Sequence, residues 1–131
     1  MFFYCSKLQN VTFPDGSLTN VYTASGTFQN CTSLSSITFP DGALTQVEFP
    51  IDCFKNCSRL QTLNILTLPE INLYRIEFSY CISLTPESLM SIIEALPNTT
   101  KDYTCTIGTT NLSKLFSDQI LIATNKGWKL N

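Results

Sequence analysis

Six cysteines are the residues of this chain with the clearest chemical potential, and four of them recur at a regular interval. Cys5, Cys31 and Cys57 are 26 residues apart, and Cys81 follows 24 residues later. Neighbouring strands lie about 4.8 Å apart, whereas the Cβ atoms of a relaxed disulfide are about 3.8 Å apart. We therefore predict that these stacked positions hold free thiols rather than disulfides.

The other cysteines and the carboxylates give weak signals for metal binding or catalysis. Cys53 and Cys57 have a spacing that a metal pair could use, but the chain contains no histidine and no second close cysteine pair. We predict that Cys53 and Cys105 are structural thiols. Glu87 and Glu94 share one face of a predicted helix, where a catalytic pair is the alternative to the favoured solvated face. The sequence predicts no enzyme, no metal and no cofactor.

The cysteine spacing belongs to a repeat that covers most of the chain. A phenylalanine comes three residues before each of the four regularly spaced cysteines, and three apolar positions follow the cysteine in the first three sets. The repeated sets are Phe2, Cys5, Leu8, Val11 and Phe13; Phe28, Cys31, Leu34, Ile37 and Phe39; Phe54, Cys57, Leu60, Leu63 and Ile65; and the shorter set Phe78, Cys81 and Leu84. A unit of this size cannot bury its own apolar side chains, so the pattern predicts a repeat solenoid with a continuous core.

Each unit is predicted to contain two short strands and no helix. Residues 36–39 alternate polar and apolar side chains, which is strand periodicity, and Pro-Asp-Gly at 40–42 is typical of a tight turn. A second strand is predicted around Val47 and Phe49. Asn30 and Asn56 lie in the corner before each cysteine, where we predict a structural role through bonds to backbone groups rather than ligand contact.

The pattern changes after Leu84. Thr85 is a good N-cap and Pro86 suits the first position of a helix that ends at Pro97. The predicted buried face of that helix is Leu89, Ile92, Ile93 and Leu96. We then predict a strand over 103–107, a second helix capped by Ser117 with Ile120, Leu121 and Ala123 inside, and a last strand at Trp128 and Leu130. The predicted organisation is a single domain, 1–131, with repeats over 1–84 and a helix-strand-helix cap over 85–131.

Composition limits the classes of partner. The 131 residues are 44% hydrophobic and 14% charged, with a net charge of −2. Eight scattered Lys and Arg residues form no phosphate-tracking stripe, so we expect no nucleic acid partner. No apolar run reaches the length of about 18 residues needed for a membrane span, so we expect no membrane insertion.

The N-terminal residues lead to two further expectations. Phe2 and Cys5 already occupy core positions, so the first unit exposes an open edge that invites self-association. The first residues also lack the features of a secretory signal peptide. We therefore expect the chain to be a piece of a longer repeat protein.

The repeat unit resembles a known family. FQNCTSLSSITFPDG, residues 28–42, is similar to the BspA-like leucine-rich repeats of bacterial surface proteins, whose consensus carries AFxxCxxLxxIxxP. The tail from residue 84 onward is similar to the C-terminal segment of many such bacterial and phage-associated proteins. The 26-residue period is longer than the family's usual one. The resemblance implies a leucine-rich-repeat right-handed superhelix, mainly β in the repeats, with an α/β cap. It also implies an extracellular or cell-surface location and a role in adhesion or protein recognition.

The predicted binding surface is the outward face of the stacked strands, which would meet a protein or glycan, with host molecules among the candidates. Its residues are Asn10, Thr12, Ser36, Thr38, Thr62 and Asn64, extended by Tyr22 and Glu48 on the second strand line. The alternative is a structural spacer or terminal cap of a longer repeat protein that has no ligand of its own.

Overall fold

The computed structural model describes residues 1–46, 52–68 and 75–131. Its elements are β1 (Asn10–Thr12), β2 (Ser36–Thr38), β3 (Thr62–Asn64), β4 (Arg75–Glu77), α1 (Pro86–Ala95), β5 (Tyr103–Thr106), α2 (Thr109–Leu112), α3 (Ser117–Asn125) and β6 (Trp128–Leu130). The strands form two parallel sheets with the orders β1-β2-β3 and β4-β5-β6.

The first sheet follows the 26-residue repeat without slippage. Val11 pairs with Ile37 and Ile37 with Leu63, each in parallel register. The side chains of Ile37 and Leu63 are buried, and their polar neighbours along each strand point away from the core. The predicted strand positions and their alternation are confirmed for these three units.

The repeated phenylalanines form a ladder through the core. Their rings stack in three successive pairs: Phe2 with Phe28 at a centroid distance of 5.4 Å, Phe28 with Phe54 at 5.5 Å, and Phe54 with Phe78 at 5.8 Å. Such pairs add about 0.5–1.5 kcal/mol each beyond the burial of their area. The ladder defines the stacked levels of the molecule, which we number from the unit that begins at Phe2.

The repeated cysteines join each level to the one before it. Their thiols donate hydrogen bonds to the carbonyl oxygen of the phenylalanine one level earlier. The pairs are Cys31 with Phe2 (3.0 Å), Cys57 with Phe28 (3.0 Å) and Cys81 with Phe54 (3.5 Å). All six cysteines are free thiols, as predicted for the stacked positions, and all but Cys5 are buried.

The second sheet extends the stack to a fifth level. Phe78 donates its backbone N–H to the Thr106 carbonyl, and Ile107 donates to the Asn131 carbonyl, both at 2.7 Å. At an earlier level the Phe28 N–H donates in the same way to the carbonyl of Cys53, at 3.0 Å. Ile107 therefore stands where the earlier levels carry phenylalanine, and Trp128 of β6 closes the core against Tyr103 with a ring distance of 5.3 Å.

Helix α1 takes the place of a fourth strand in the first sheet. A backbone ladder runs from Ser35 to the Gln9 carbonyl, from Gln61 to the Ser35 carbonyl, and from Thr85 to the Gln61 carbonyl. The chain then turns into α1, where the Thr85 hydroxyl accepts the N–H of Ser88 as an N-cap. The predicted start, buried face and end of this helix are confirmed.

Two lysines close the C-terminal side of the stack. Lys114 donates to the carbonyl oxygens of Ile82 and Leu84 and to the side chain of Asn111, at 2.8 to 2.9 Å. Lys126 donates to three carbonyl oxygens at the end of α1: Ile93, Glu94 and Leu96. Since the last carbonyls of a helix have no intrahelical partner, Lys126 satisfies groups that α1 leaves open.

Several predicted details of the fold are wrong or untested. The second strand around Val47 and Phe49 lies outside the described residues. Helix α3 begins after Phe116, whose N–H bonds the Gln119 side chain, so Ser117 is its first residue rather than its cap. Leu121 is exposed, because the face of α3 that packs inward carries Ala123, about half a turn away.

One short helix was not predicted. Helix α2 follows Gly108, whose positive φ of 81° permits the sharp change of direction after β5. The observed sheets and corners agree with stacked repeats, while the superhelical course of the predicted solenoid stays a prediction. In the described part of the chain, none of the helices has the length and apolar character needed to cross a membrane.

Candidate binding surface

Six of the predicted site residues form two rows on the outside of the first sheet, which we call the polar strand face. One row is Asn10, Ser36 and Thr62, and the other is Thr12, Thr38 and Asn64. All six side chains are exposed or half-buried. The register thus brings together residues that lie 26 positions apart in the sequence, as predicted.

The hydroxyl groups of this face are largely available. The side chains of Thr12, Thr38 and Thr62 form no hydrogen bond with any described residue. The two amides at opposite corners each lie within hydrogen-bond distance of a serine hydroxyl, Asn10 at 3.0 Å from Ser35 and Asn64 at 3.2 Å from Ser91. Each serine can donate its one proton to a backbone carbonyl instead, that of Gln9 or Ile65. The face therefore combines amides with threonine hydroxyls that can bond a ligand.

The two predicted extensions have different outcomes. Tyr22 is 66% exposed, and it lies in the turn-rich segment after β1 rather than in the sheet. Glu48 lies outside the described residues. The structure therefore adds neither residue to the polar strand face.

A groove with a volume of about 370 Å³ lies at the corner where the chain enters the strands, and we call it the corner groove. It is lined by Gln9, Ser33, Ser35, Arg59, Gln61 and Ser83. Its glutamines and Ser35 directly precede the first row of the polar strand face in sequence. The two features therefore form one polar surface, and neither contains a carboxylate.

Arg59 is the cation of this groove, and it was not among the site residues predicted from the sequence. It is exposed and forms no ion pair or hydrogen bond with any described residue. Its position is equivalent to Ser33 in the repeat before it, so aligning the units by their period would have placed it beside the strand rows. A guanidinium presents a planar fork of donors that suits a carboxylate.

A second groove lies where β3 meets α1. It has a volume of about 420 Å³ and is lined by Asn64, Ile65, Leu66, Pro86, Glu87, Met90, Ser91, Glu94 and Gln119. Glu87 and Glu94 are exposed on one face of α1, which agrees with the solvated helix face favoured from the sequence. This end of the surface is acidic, whereas the corner groove is cationic.

The buried cysteines are poor nucleophiles. Burial raises the pKa of the Cys53 and Cys105 thiols to about 12 in each case. Burial, with Cys31 nearby, raises the pKa of Cys57 to about 12 as well. Since the thiolate is the reactive form, these residues act as small core side chains near neutral pH. The described residues contain no cluster of three or more side chains that could hold a metal ion.

The two corner asparagines have a structural explanation. Asn30 and Asn56 each have a φ of +62°, a left-handed conformation that asparagine tolerates better than most residues. Asn56 donates its side-chain amide to the Asn30 side chain at 2.7 Å. The predicted structural role therefore holds, but the observed partner of Asn56 is the neighbouring asparagine rather than a backbone group.

Comparison with known proteins identifies the repeat. A family model described as the BspA type leucine-rich repeat region, with six copies, matches residues 1–117. No curated protein sequence and no solved structure matches the chain. The match begins at the first FxxC unit and continues through α1, β5 and α2. It therefore covers the polar strand face and the apolar residue that opens each of the five levels, from Phe2 to Ile107. This chain therefore belongs to the family of BspA type leucine-rich repeat proteins.

Proposed function

We propose that this chain is a non-enzymatic recognition module, a right-handed leucine-rich-repeat solenoid that binds a protein or glycan through the polar strand face. Unpaired threonine hydroxyls on a rigid parallel sheet carry this proposal. Short side chains on paired strands lose little conformational entropy when they meet a ligand. A role in adhesion at a bacterial cell surface would fit the family.

The corner groove favours a ligand that carries both hydroxyl groups and negative charge. Gln9 and Gln61 offer amide donors and acceptors, and Arg59 offers an uncompensated cation. A glycan with carboxylate groups would bond both kinds of side chain. An acidic segment on a host matrix protein would present a similar set of acceptors.

The experiment is a binding panel of matrix proteins, mucin glycans and bacterial wall polysaccharides, probed with the purified chain under reducing conditions. A variant with Thr12→Glu, Thr38→Glu and Thr62→Glu fills the face with three carboxylates, which obstruct the strands and repel a negatively charged ligand. We expect saturable binding by the wild type and at least about a tenfold loss in the variant, because the ligand can no longer approach the strands.

A matched control separates a local effect from a change in net charge. Thr19, Thr45 and Thr100 are exposed and lie outside the sheet, so replacing these three by glutamate adds the same charge elsewhere. We expect this control to keep the wild-type affinity. Equal binding by the wild type and the strand-face variant would refute the proposal.

The closed C-terminal side favours one alternative, a structural spacer or terminal cap without a ligand. Lys114, Lys126 and α1 satisfy polar groups that a stacked end would otherwise expose. In that case a folded, soluble sample would bind nothing on the panel, and the outward positions would tolerate substitution with no loss of function of the parent protein.

A further inference from the structure

The groove between β3 and α1, which we call the acidic groove, differs in charge from the polar surface beside it. Of its lining residues only Glu87 and Glu94 are charged, and both are exposed. Neither carboxylate forms an ion pair or a hydrogen bond with any described residue. Lys126 donates to the backbone carbonyl of Glu94 and not to its carboxylate. Two uncompensated carboxylates in one groove favour a cationic occupant.

The two carboxylates lie along one line of the helix. Glu87 and Glu94 are seven residues apart in α1. Seven residues come within about 20° of two full turns, so the two side chains leave the helix on the same face. At the rise of an α-helix, their Cα atoms are about 10.5 Å apart along the axis. The acidic groove therefore presents two negative charges at an interval that the helix sets.

The space between the two carboxylates is apolar. Met90 lies between them on α1 and is half-buried, and Leu66 on the opposite wall is 53% exposed. A flexible thioether beside an exposed leucine offers a surface on which a proline ring or the methylene stem of a long cation can pack. The acidic groove therefore combines a charge towards each end with an apolar centre.

The walls of the acidic groove are held by hydrogen bonds. The Ser91 hydroxyl accepts the N–H of Ile65 at 3.0 Å, which fixes α1 against the end of β3. The Gln119 side chain accepts the N–H of Phe116 at 2.9 Å, which fixes it at the start of α3. A groove that is formed before the ligand arrives loses little conformational entropy on binding.

The interval between the charges discriminates between extended peptide conformations. In a polyproline II helix, residues three apart face the same way and are about 9.3 Å apart. In a β-strand, the residues that share a face are two or four apart, at about 6.6 or about 13.2 Å. The polyproline II interval is the closest match to the spacing of about 10.5 Å on α1, and long lysine or arginine side chains span the remaining difference.

We propose that the acidic groove binds a proline-rich peptide segment in the polyproline II conformation, with two basic residues three positions apart. Its cations pair with Glu87 and Glu94, and its prolines pack on Leu66 and Met90. The acidic groove shares only Asn64 with the polar strand face and selects the opposite charge, so the proposal goes beyond the recognition role. The two proposals can fail independently.

The test titrates the ¹⁵N-labelled chain with the peptide Ac-Lys-Pro-Pro-Lys-NH₂ at low ionic strength. We expect saturable changes of the backbone amide shifts over residues 64–66 and 87–94. The isomer Ac-Lys-Pro-Lys-Pro-NH₂ has the same composition and charge, but its lysines are two positions apart and face different ways. We expect the isomer to bind at least about fivefold more weakly, because only one of its cations reaches a carboxylate of the groove.

A pair of charge variants locates the binding. Glu87→Gln combined with Glu94→Gln removes both charges with little change in size, and we expect it to bind the first peptide at least about fivefold more weakly. Asp15→Asn combined with Asp102→Asn removes two exposed carboxylates outside the acidic groove and should retain the wild-type affinity. Equal affinity in the wild type and the glutamine variant, equal binding of the two peptides, or no saturable binding would overturn the proposal.

A linear diamine is the competing occupant, since it also carries two cations on an apolar chain. Octamethylenediamine has the same charge as the peptide but offers neither proline rings nor a peptide backbone. Binding of this diamine as tight as that of Ac-Lys-Pro-Pro-Lys-NH₂, or tighter, would overturn the proposal by making an amine the ligand. Weaker binding of the diamine supports a peptide whose prolines contact Leu66 and Met90.

Discussion

Equivalent residues in successive levels of this protein form the same hydrogen bond to the level before. Cys31, Cys57 and Cys81 illustrate this, because each of these thiols donates to a carbonyl of the level before it. A serine would make a similar bond but would add a more polar group to the core, whereas alanine would leave the carbonyl without this donor. The sequence predicted free thiols from their spacing, but not their acceptors, because the acceptor depends on where the corner backbone turns.

The buried thiols should make stability depend on pH in the alkaline range. Burial raises the Cys105 pKa from 9.0 to about 12, so the unfolded chain loses this proton first. The stabilisation is therefore complete below about pH 9 and is lost as the pH rises towards 12. For a fully buried thiol the loss is about 2 kcal/mol at about pH 10.5. Urea unfolding at neutral and alkaline pH measures it.

Two cysteine variants identify the source of that pH dependence. Cys105→Ala removes one buried titrating group, so its unfolding free energy should fall less between the two pH values than that of the wild type. Cys5→Ala removes an exposed thiol and should retain the wild-type difference. An identical fall in the wild type and Cys105→Ala would contradict the account.

At the scale of elements, the first sheet ends because a helix replaces its next strand. The Ser88 hydroxyl donates to the Gln61 carbonyl at 2.9 Å and accepts the N–H of Leu63 at 3.0 Å. The Ser91 hydroxyl accepts the N–H of Ile65 at 3.0 Å. Two side chains of α1 thus supply bonds that a fourth strand would otherwise make with β3, and they protect this edge from pairing with another chain.

The substitution Ser88→Ala tests this edge protection. It leaves the buried N–H of Leu63 without its acceptor, so we expect a loss of about 1–3 kcal/mol in unfolding free energy. Ser6→Ala is the control, because Ser6 is exposed and its hydroxyl has no partner among the described residues. Chemical denaturation measures both. A loss below about 0.5 kcal/mol in Ser88→Ala, equal to that of the control, would show that the serine bond is dispensable.

The elements were predictable to the extent that they depend on local pattern. Strands β1 to β3 and helix α1 follow from apolar alternation, the 26-residue spacing and the Thr85-Pro86 cap. The sequence did not predict helix α2, the burial pattern of α3 or the serine contacts of α1. Each of these depends on packing between segments that are distant in the sequence. Arg59 was not predicted as a site residue for a related reason: a single arginine can be recognised as part of a binding surface only when the stack places it beside the strand rows.

At the scale of the whole molecule, the repeat creates three distinct regions. The polar strand face and corner groove carry exposed polar groups, α1 and two lysines bond open carbonyl groups on the C-terminal side, and Phe2, Leu8 and Val11 of the first unit are only half-buried. The family match over residues 1–117 covers the units of the first sheet and continues through α2. The proposed recognition surface is therefore distinct from the exposed core residues of the first unit.

The most direct test of the recognition role maps the ligand contact residue by residue. Backbone amide shifts of the ¹⁵N-labelled chain are recorded during titration with the panel molecule that binds most tightly. We expect the largest changes at residues 9–12, 35–38 and 61–64 and at Arg59, with small changes at Phe2 and Cys5. Changes concentrated at Phe2, Leu8 and Val11 or at the turns over 14–20 and 40–46 would contradict the proposed binding through the polar strand face.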